Sequence, residues 1–359
     1  MKLSLLCFIF GLSVLAHGEA TAIDAKDLTP TGSGGGKQPQ VAVAPDGTIY
    51  VVFGKDTSVY VTSSTDHGAT FSAPVQVADV PKLMLGMRRG PRIAATSDRI
   101  LVSAPNSGLQ TFLSTDHGKT WSPIGTMNDR STGAEEGLQN ITALPDGSFY
   151  AVWLDHRTGS QQIEGARLDP TATAWGKNVT VYQSPERSVC ECCHPSVVSD
   201  EKGKLSVMWR NSLGGNRDFY LAESMDRGDT FSEAAKLGTG SWQIAGCPMD
   251  GGGLIAKSDA GIWTIWRRQD DVFLDQPGKP ETKIGRGMQP VITMISGEIY
   301  CVWQKTGYVY IAKNSGKTQV GMLPGGEASV IASPDGKEAY LVWEGSEGAD
   351  MVPKFAVLR

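Results

Sequence analysis

The chain has 359 residues, 20% of them charged, and a formal net charge of −5. It contains no run of five basic residues, which argues against nucleic acid or an anionic membrane surface as a partner. Its 43 glycines and nine tryptophans, without long charged blocks, describe an all-β protein with many turns, and the length is ample for a large core.

In chain order, Lys2 precedes an apolar run from Leu3 to Ala16, with small residues at Ala16, Gly18 and Ala20. This reads as a secretory signal peptide over 1–20, leaving 21–359 as one domain in the periplasm or outside the cell, where disulfides can form. Cys7 follows Leu5 and Leu6, a poor acylation context, so no lipid anchor is expected. No other stretch is apolar enough to span a membrane. Asn140 and Asn178 begin Asn-x-Thr sequons, which matter only in a eukaryotic host.

Seven segments then align without gaps: IYVVFGK from 49, ILVSAPN from 100, FYAVWLD from 149, LSVMWRN from 205, IWTIWRR from 262, IYCVWQK from 299 and AYLVWEG from 339. Apolar β-formers of this length are strands. A shorter strand and a tight turn, often Asp-Gly or Ser-Gly, precede each one. The spacing of 37 to 57 residues is that of a β-propeller with several strands per blade. Seven pairs predict seven blades, with six as the alternative. The last blade shows only 328–333, 338–344 and 352–358, so the segment near 24–32 is expected to supply its fourth strand.

Between these strands, Ser64-Thr65-Asp66-His67-Gly68-Ala69-Thr70-Phe71 recurs from Ser114 to Trp121 and from Ser224 to Phe231, with a decayed copy from Asn314 to Thr318. This Ser-x-Asp-x-Gly-x-Thr-aromatic pattern resembles the Asp-box, or bacterial neuraminidase repeat, of sialidase-like propellers, and the resemblance covers nearly the whole mature chain. Asp66, Asp116 and Asp226 are then structural: each carboxylate accepts backbone N–H bonds of its turn, the glycine allows positive φ and the aromatic wedges between sheets. His67 and His117 sit at a variable position and are expected to be solvated. The resemblance implies six blades, as sialidases usually have, so the count of seven departs from it.

The resemblance also invites glycoside hydrolysis, which would need an arginine clamp, a Tyr–Glu nucleophile and an acid. Candidate ligand arginines are Arg92, Arg157, Arg210, Arg217, Arg267 and Arg268. Pro91-Arg92-Ile93 only echoes the family's Arg-Ile-Pro signature, in another order. Tyr308 and Tyr310 fall where a nucleophile belongs, and Glu135 and Glu136 lie in a loop without a flanking motif. Arginines after tryptophan strands also have a plain role, stacking or pairing with an aspartate such as Asp155 or Asp218. A non-hydrolytic role is therefore expected, because fold analogy alone does not carry chemistry.

The stretch SVCECCHPSV from 188 holds three cysteines and a histidine in five positions. In a propeller the first strand of each blade lines the central channel. The residues read as preceding those strands are Gln38, Gly90, Asn140, His194, Cys247, Gln289 and Glu327, which should ring one mouth. His194 and Cys247 would then be neighbours in adjacent blades, with Cys190, Cys192, Cys193 and Met249 beside them. Three readings remain open. Thiolates, a thioether and an imidazole suit Cu(I) or, less well, zinc. Export favours disulfides, with Cys247 bridged to Cys192 or Cys190 and joining blades four and five. Cys190-x-x-Cys193-His194 also satisfies the c-type haem attachment pattern, with Met249 as second axial ligand. Cys301 falls in a buried column and reads as a free core thiol. Trp242 either covers the cysteines, stacks on a sugar or packs between blades, and Gly251, Gly252 and Gly253 allow close backbone approach or a wide loop. The favoured expectation is a monomeric, exported, sialidase-like propeller whose ligand is a metal, a small molecule or a glycan, with a Cys/His soft-metal or redox site at the channel mouth.

Overall fold

The computed structural model describes residues 23–29, 35–313 and 316–359. The expected signal peptide and the start of the decayed box at Asn314-Ser315 lie outside these residues.

Seven four-stranded antiparallel sheets follow one another along the chain. The first comprises Lys37–Val43, Ile49–Lys55, Ser58–Ser64 and Val75–Asp79. The innermost strands of the other blades are Arg92–Ala95, Gln139–Ala143, Ser196–Ser199, Gly253–Lys257, Met288–Ile295 and Gly326–Ala332. Innermost strands of successive blades touch, and the first touches the last, so the sheets close into a ring. The fold is a seven-bladed, sialidase-like β-propeller.

The seven aligned segments are the second strands. Their alternate residues face neighbouring sheets on both sides, which is why they read as nearly continuous apolar runs. Trp153, Trp209, Trp266, Trp303 and Trp343 are all buried in this column. The ring closes as expected: Lys26 and Asp27 pair with Phe355 and Lys354 as the outermost strand of the last blade. That blade's other strands are Gly326–Ala332, Ala339–Glu347 and Asp350–Leu358.

The Asp-boxes form the turns after the third strands of blades one, two and four. In the first, Asp66 accepts the Thr70 N–H at 2.9 Å and the Thr70 hydroxyl at 2.6 Å, while Ser64 Oγ accepts the Gly68 N–H at 2.9 Å. The same bonds recur around Asp116 and Asp226. A Cβ on Gly68 would meet the Phe355 ring at 2.3 Å, and one on Gly228 the Tyr150 ring at 1.9 Å. Glycine is thus required by close approach to the neighbouring blade as well as by its φ of 79° and 101°. His117 is exposed. His67, though 73% exposed, bonds Glu338 of the last blade at 2.9 Å.

Candidate functional site

A channel of about 750 Å³ runs along the ring axis, lined by residues from all seven innermost strands. Those strands run the same way, so their starts gather at one mouth. Registering each against its partner strand fixes equivalent places: Val41, Ile93, Ile141, Val197, Leu254, Ile292 and Val330 oppose the same column. Three residues earlier stand Gln38, Gly90, Leu138, His194, Gly251, Gln289 and Glu327. Gln38, Gly90, His194, Gln289 and Glu327, five of the seven residues read as a ring, stand at these places. Asn140 is instead on the channel wall, because its blade starts without the Pro that marks most others. Cys247 is displaced too: its blade begins later, at Gly253, so Gly251 holds the place opposite His194.

That exchange has a physical reason. A Cβ on Gly251 would lie 2.0 Å from the His194 ring, and one on Gly252 would lie 2.4 Å from Met208 Cε. The glycines therefore serve close approach. His194 packs against bare backbone, lines the channel and is 8% exposed. Burial, then the nearby Arg88, Arg92 and Arg210, hold its imidazole neutral, well below the usual histidine range.

The mouth carries a polar network in which the Gln38 Oε1 and Glu327 Oε2 atoms stay without a hydrogen bond. Gln38, Gln289 and Glu327 sit at bulges with φ of 54°, 53° and 53°, each N–H capped by a side chain. Glu344 takes Gln38 at 2.6 Å, Asp250 takes Gln289 at 3.1 Å and Gln304 takes Glu327 at 2.7 Å. Arg88, which no sequence pattern marks, reaches across the ring to Gln289 and the Ala328 carbonyl. Arg92 donates to the carbonyls of Gly90, Pro91 and Arg88, and burial lowers its pKa to about 9.

Of the other candidate arginines, Arg157 stands apart, whereas Arg210, Arg217, Arg267 and Arg268 line one small pocket between blades four and five. Arg157 pairs with Asp155 and Asp129. Arg210 donates to the carbonyls of Asp250, Arg217 and Arg267. Arg267 pairs with the fully buried Asp250, and Arg268 with Glu281. Arg217 binds the Trp242 carbonyl through its backbone N–H, and its buried side-chain Nε has no partner. Trp242 is itself buried, with Arg210 and Arg267 at 5.2 and 5.1 Å from its ring, so it packs between blades and offers no face to a sugar. Glu135 pairs with His156 and Glu136 with Arg89. Tyr308 is 40% exposed, and Tyr310 stacks on Trp303.

Cys190, Cys192 and Cys193 lie in the loop entering the fourth blade. Cys192 and Cys247 form a disulfide across 55 residues, joining the approaches to blades four and five. Cys190 and Cys193 are free thiols, each 1% exposed. Their sulfurs share a hydrogen bond at 3.0 Å, and Cys192 Sγ lies 3.8 and 4.0 Å from them. Sharing a proton with Cys193, together with Arg210 and Arg217, brings the Cys190 thiol down to about 7 against the effect of burial. Burial pushes Cys193 well up.

Among the described histidine, cysteine and acidic side chains, only Cys190, Cys192 and Cys193 gather within 4.8 Å of one another. The structure therefore cuts the expected six-ligand set. His194 lines the channel outside this group, Cys247 is bonded to Cys192, and Met249 is 36% exposed, its carbonyl accepting from Gln289. Cys301 is a core thiol of the sixth blade, raised to about 12 by burial.

Residues 37–243 match the family model described as a BNR repeat-like domain. Solved structures share the fold over most of both chains. The intramolecular trans-sialidase of Ruminococcus gnavus is 12% identical, with a TM-score of 0.55 over 90% of this chain and 94% of that one. A protein of unknown function from Dyadobacter fermentans is 13% identical, at 0.55 over 93% and 98%. The polysaccharide lyase Uly1 is 9% identical, at 0.60 over 90% of each. No curated protein matches the sequence. Likeness at these identities shows the fold alone.

Proposed function

The chain belongs to the family of BNR repeat-like domains, and on that footing we propose that it is an exported propeller binding one soft metal ion, of the Cu(I) type, at its channel mouth. The ligands are Cys190, Cys193 and, once its bridge to Cys247 is opened, Cys192. The observation that carries this reading is the set of three sulfurs within 4.8 Å of one another. Thiolates bound to one ion at roughly 2.3 Å lie about 3.8 to 4.0 Å apart. The two separations from Cys192, 3.8 and 4.0 Å, already meet that spacing. The third, 3.0 Å, has to widen. Thiolate ligands select soft ions, and no carboxylate joins the group, which disfavours hard ions. Zinc is second choice because it needs a fourth ligand.

The disulfide supports an oxidising compartment. Haem attachment fits poorly: Cys190 and Cys193 are buried and turned toward each other, so a macrocycle reaches neither sulfur without parting the blades. Several similar folds carry glycosidase or lyase names. Against hydrolysis here stands the commitment of Arg92, Arg157, Arg210 and Arg267 to carbonyls and carboxylates.

The test is anaerobic titration of the reduced protein with Cu(I) against a chromophoric chelator. About one ion bound per chain, lost in Cys190→Ser, is expected. Retention of Cu(I) by the Cys190→Ser, Cys193→Ser double variant would overturn the reading. Turnover of a fluorogenic sialoside that vanishes in Arg92→Ala would favour the hydrolase instead.

A further inference from the structure

The four mouth cysteines stand in two tiers. The outer tier is the bridge, with Cys247 exposed and Cys192 half-buried. The inner tier is a buried dithiol, Cys190 and Cys193. Cys192 belongs to both, bonded outward to Cys247 and lying 3.8 and 4.0 Å from the inner sulfurs. A simple staple needs no reduced sulfurs pressed against it, and a simple buried dithiol needs no exposed bridge above it.

We propose that these cysteines form a thiol–disulfide relay that reduces an external disulfide, of a small molecule or an exported protein, with electrons from the buried pair. This does not rest on the metal reading.

The steps follow ordinary exchange through mixed disulfides. The Cys190 thiolate attacks Cys192 Sγ, forming a Cys190–Cys192 bond and releasing Cys247 as thiolate. Cys193, having lost its proton, attacks Cys190 Sγ, forming Cys190–Cys193 and releasing Cys192 as thiolate. One disulfide has moved inward, and no electrons have entered or left. The exposed Cys247 thiolate then attacks the substrate disulfide RS–SR, forming Cys247–SR and releasing RS⁻. Cys192 attacks Cys247 Sγ, restores the outer bridge and releases the second RS⁻. The net change is RS–SR reduced to two RSH, with the two protons of Cys190 and Cys193 leaving on the products and that pair oxidised to a disulfide. A dithiol donor, entering by the same steps in reverse, regenerates it. Cys192 and Cys247 carry the exchange with solvent, and the buried pair holds the electrons where other oxidants do not reach.

The experiment uses full-length protein carrying the inner dithiol, in buffer with a strong metal chelator, and oxidised glutathione as probe. Released glutathione is counted, and disulfides are mapped by alkylation after acid quenching. The expected result is two glutathione thiols released per chain, Cys190–Cys193 newly bridged, Cys192–Cys247 intact and Cys301 still reduced. Cys192→Ser, which keeps the inner pair but severs its link to the surface, should slow oxidation of that pair at least tenfold. Cys301→Ala should change nothing. The relay is overturned if Cys190 and Cys193 stay reduced in the parent protein. It is equally overturned if they oxidise as fast in Cys192→Ser whose circular dichroism matches the parent, since glutathione would then reach them directly.

Discussion

The Asp-box turns and the cysteine mouth hold blades together in opposite ways. Each box is local: a carboxylate, a hydroxyl and a glycine within seven residues satisfy their own backbone, and the pattern is printed three times. The mouth occurs once and is long-range. Its bridge spans 55 residues, and Arg88 reaches Gln289 and Ala328 from the far side of the ring. Local, repeated chemistry builds a scaffold in which no single copy is decisive. Non-local, unrepeated chemistry concentrates at one place, the channel mouth.

The strongest way to break this contrast is to cut the bridge. Cys247→Ser removes a closure of 55 residues, and the loop-entropy relation puts the loss at about 4 kcal/mol. Denaturant unfolding of the two proteins should show it as a lower midpoint. An unchanged midpoint would mean that blades four and five are joined without the bridge.

A smaller effect is expected from Gly251→Val. Its Cβ would fall 2.0 Å from the His194 ring, and forcing a side chain into a packed site costs about 2 kcal/mol. The His194 ring resonances should shift with it, whereas valine at Gly108, whose backbone is not left-handed and whose Cβ would meet its nearest atom at 3.7 Å, should leave them in place.

Smallest is the contribution of the boxes to acid stability. Bonds from the threonines hold Asp116 and Asp226 down at about 2 in the fold, and Asp66 lower still. A depressed carboxylate stabilises the fold fully above its unfolded value near 4 and loses that contribution as pH falls through about 2. Asp116→Asn should therefore flatten the stability profile between about pH 4 and 2 and leave its neutral plateau nearly level. A profile identical to the parent's would show that these turns do not couple to acid unfolding.

The sequence made the scaffold legible because its signals are periodic. Residues such as Trp153 and Trp209 mark the second strands, and Ser-x-Asp-x-Gly marks the turns, so seven blades and the closing strand at Lys26–Asp27 follow. The mouth was half legible. Pro195 and Pro290 anchor the frame after His194 and Gln289, but Pro248 precedes its strand by several residues, which moved Cys247 into a place that Gly251 holds. His194 stood beside the cysteines in sequence yet turns into the channel, where the bare backbone of Gly251 leaves room for its ring. Arg88 left no trace, since an arginine in an irregular loop looks the same whether it meets water or crosses a ring.

The most direct measurement is the X-ray absorption spectrum of the reduced protein loaded with one equivalent of Cu(I). The account predicts a first shell of sulfur alone, supplied by Cys190, Cys193 and Cys192, that collapses in the Cys190→Ser, Cys193→Ser double variant. A shell containing imidazole nitrogen from His194, or one of oxygen and nitrogen without sulfur, would contradict it.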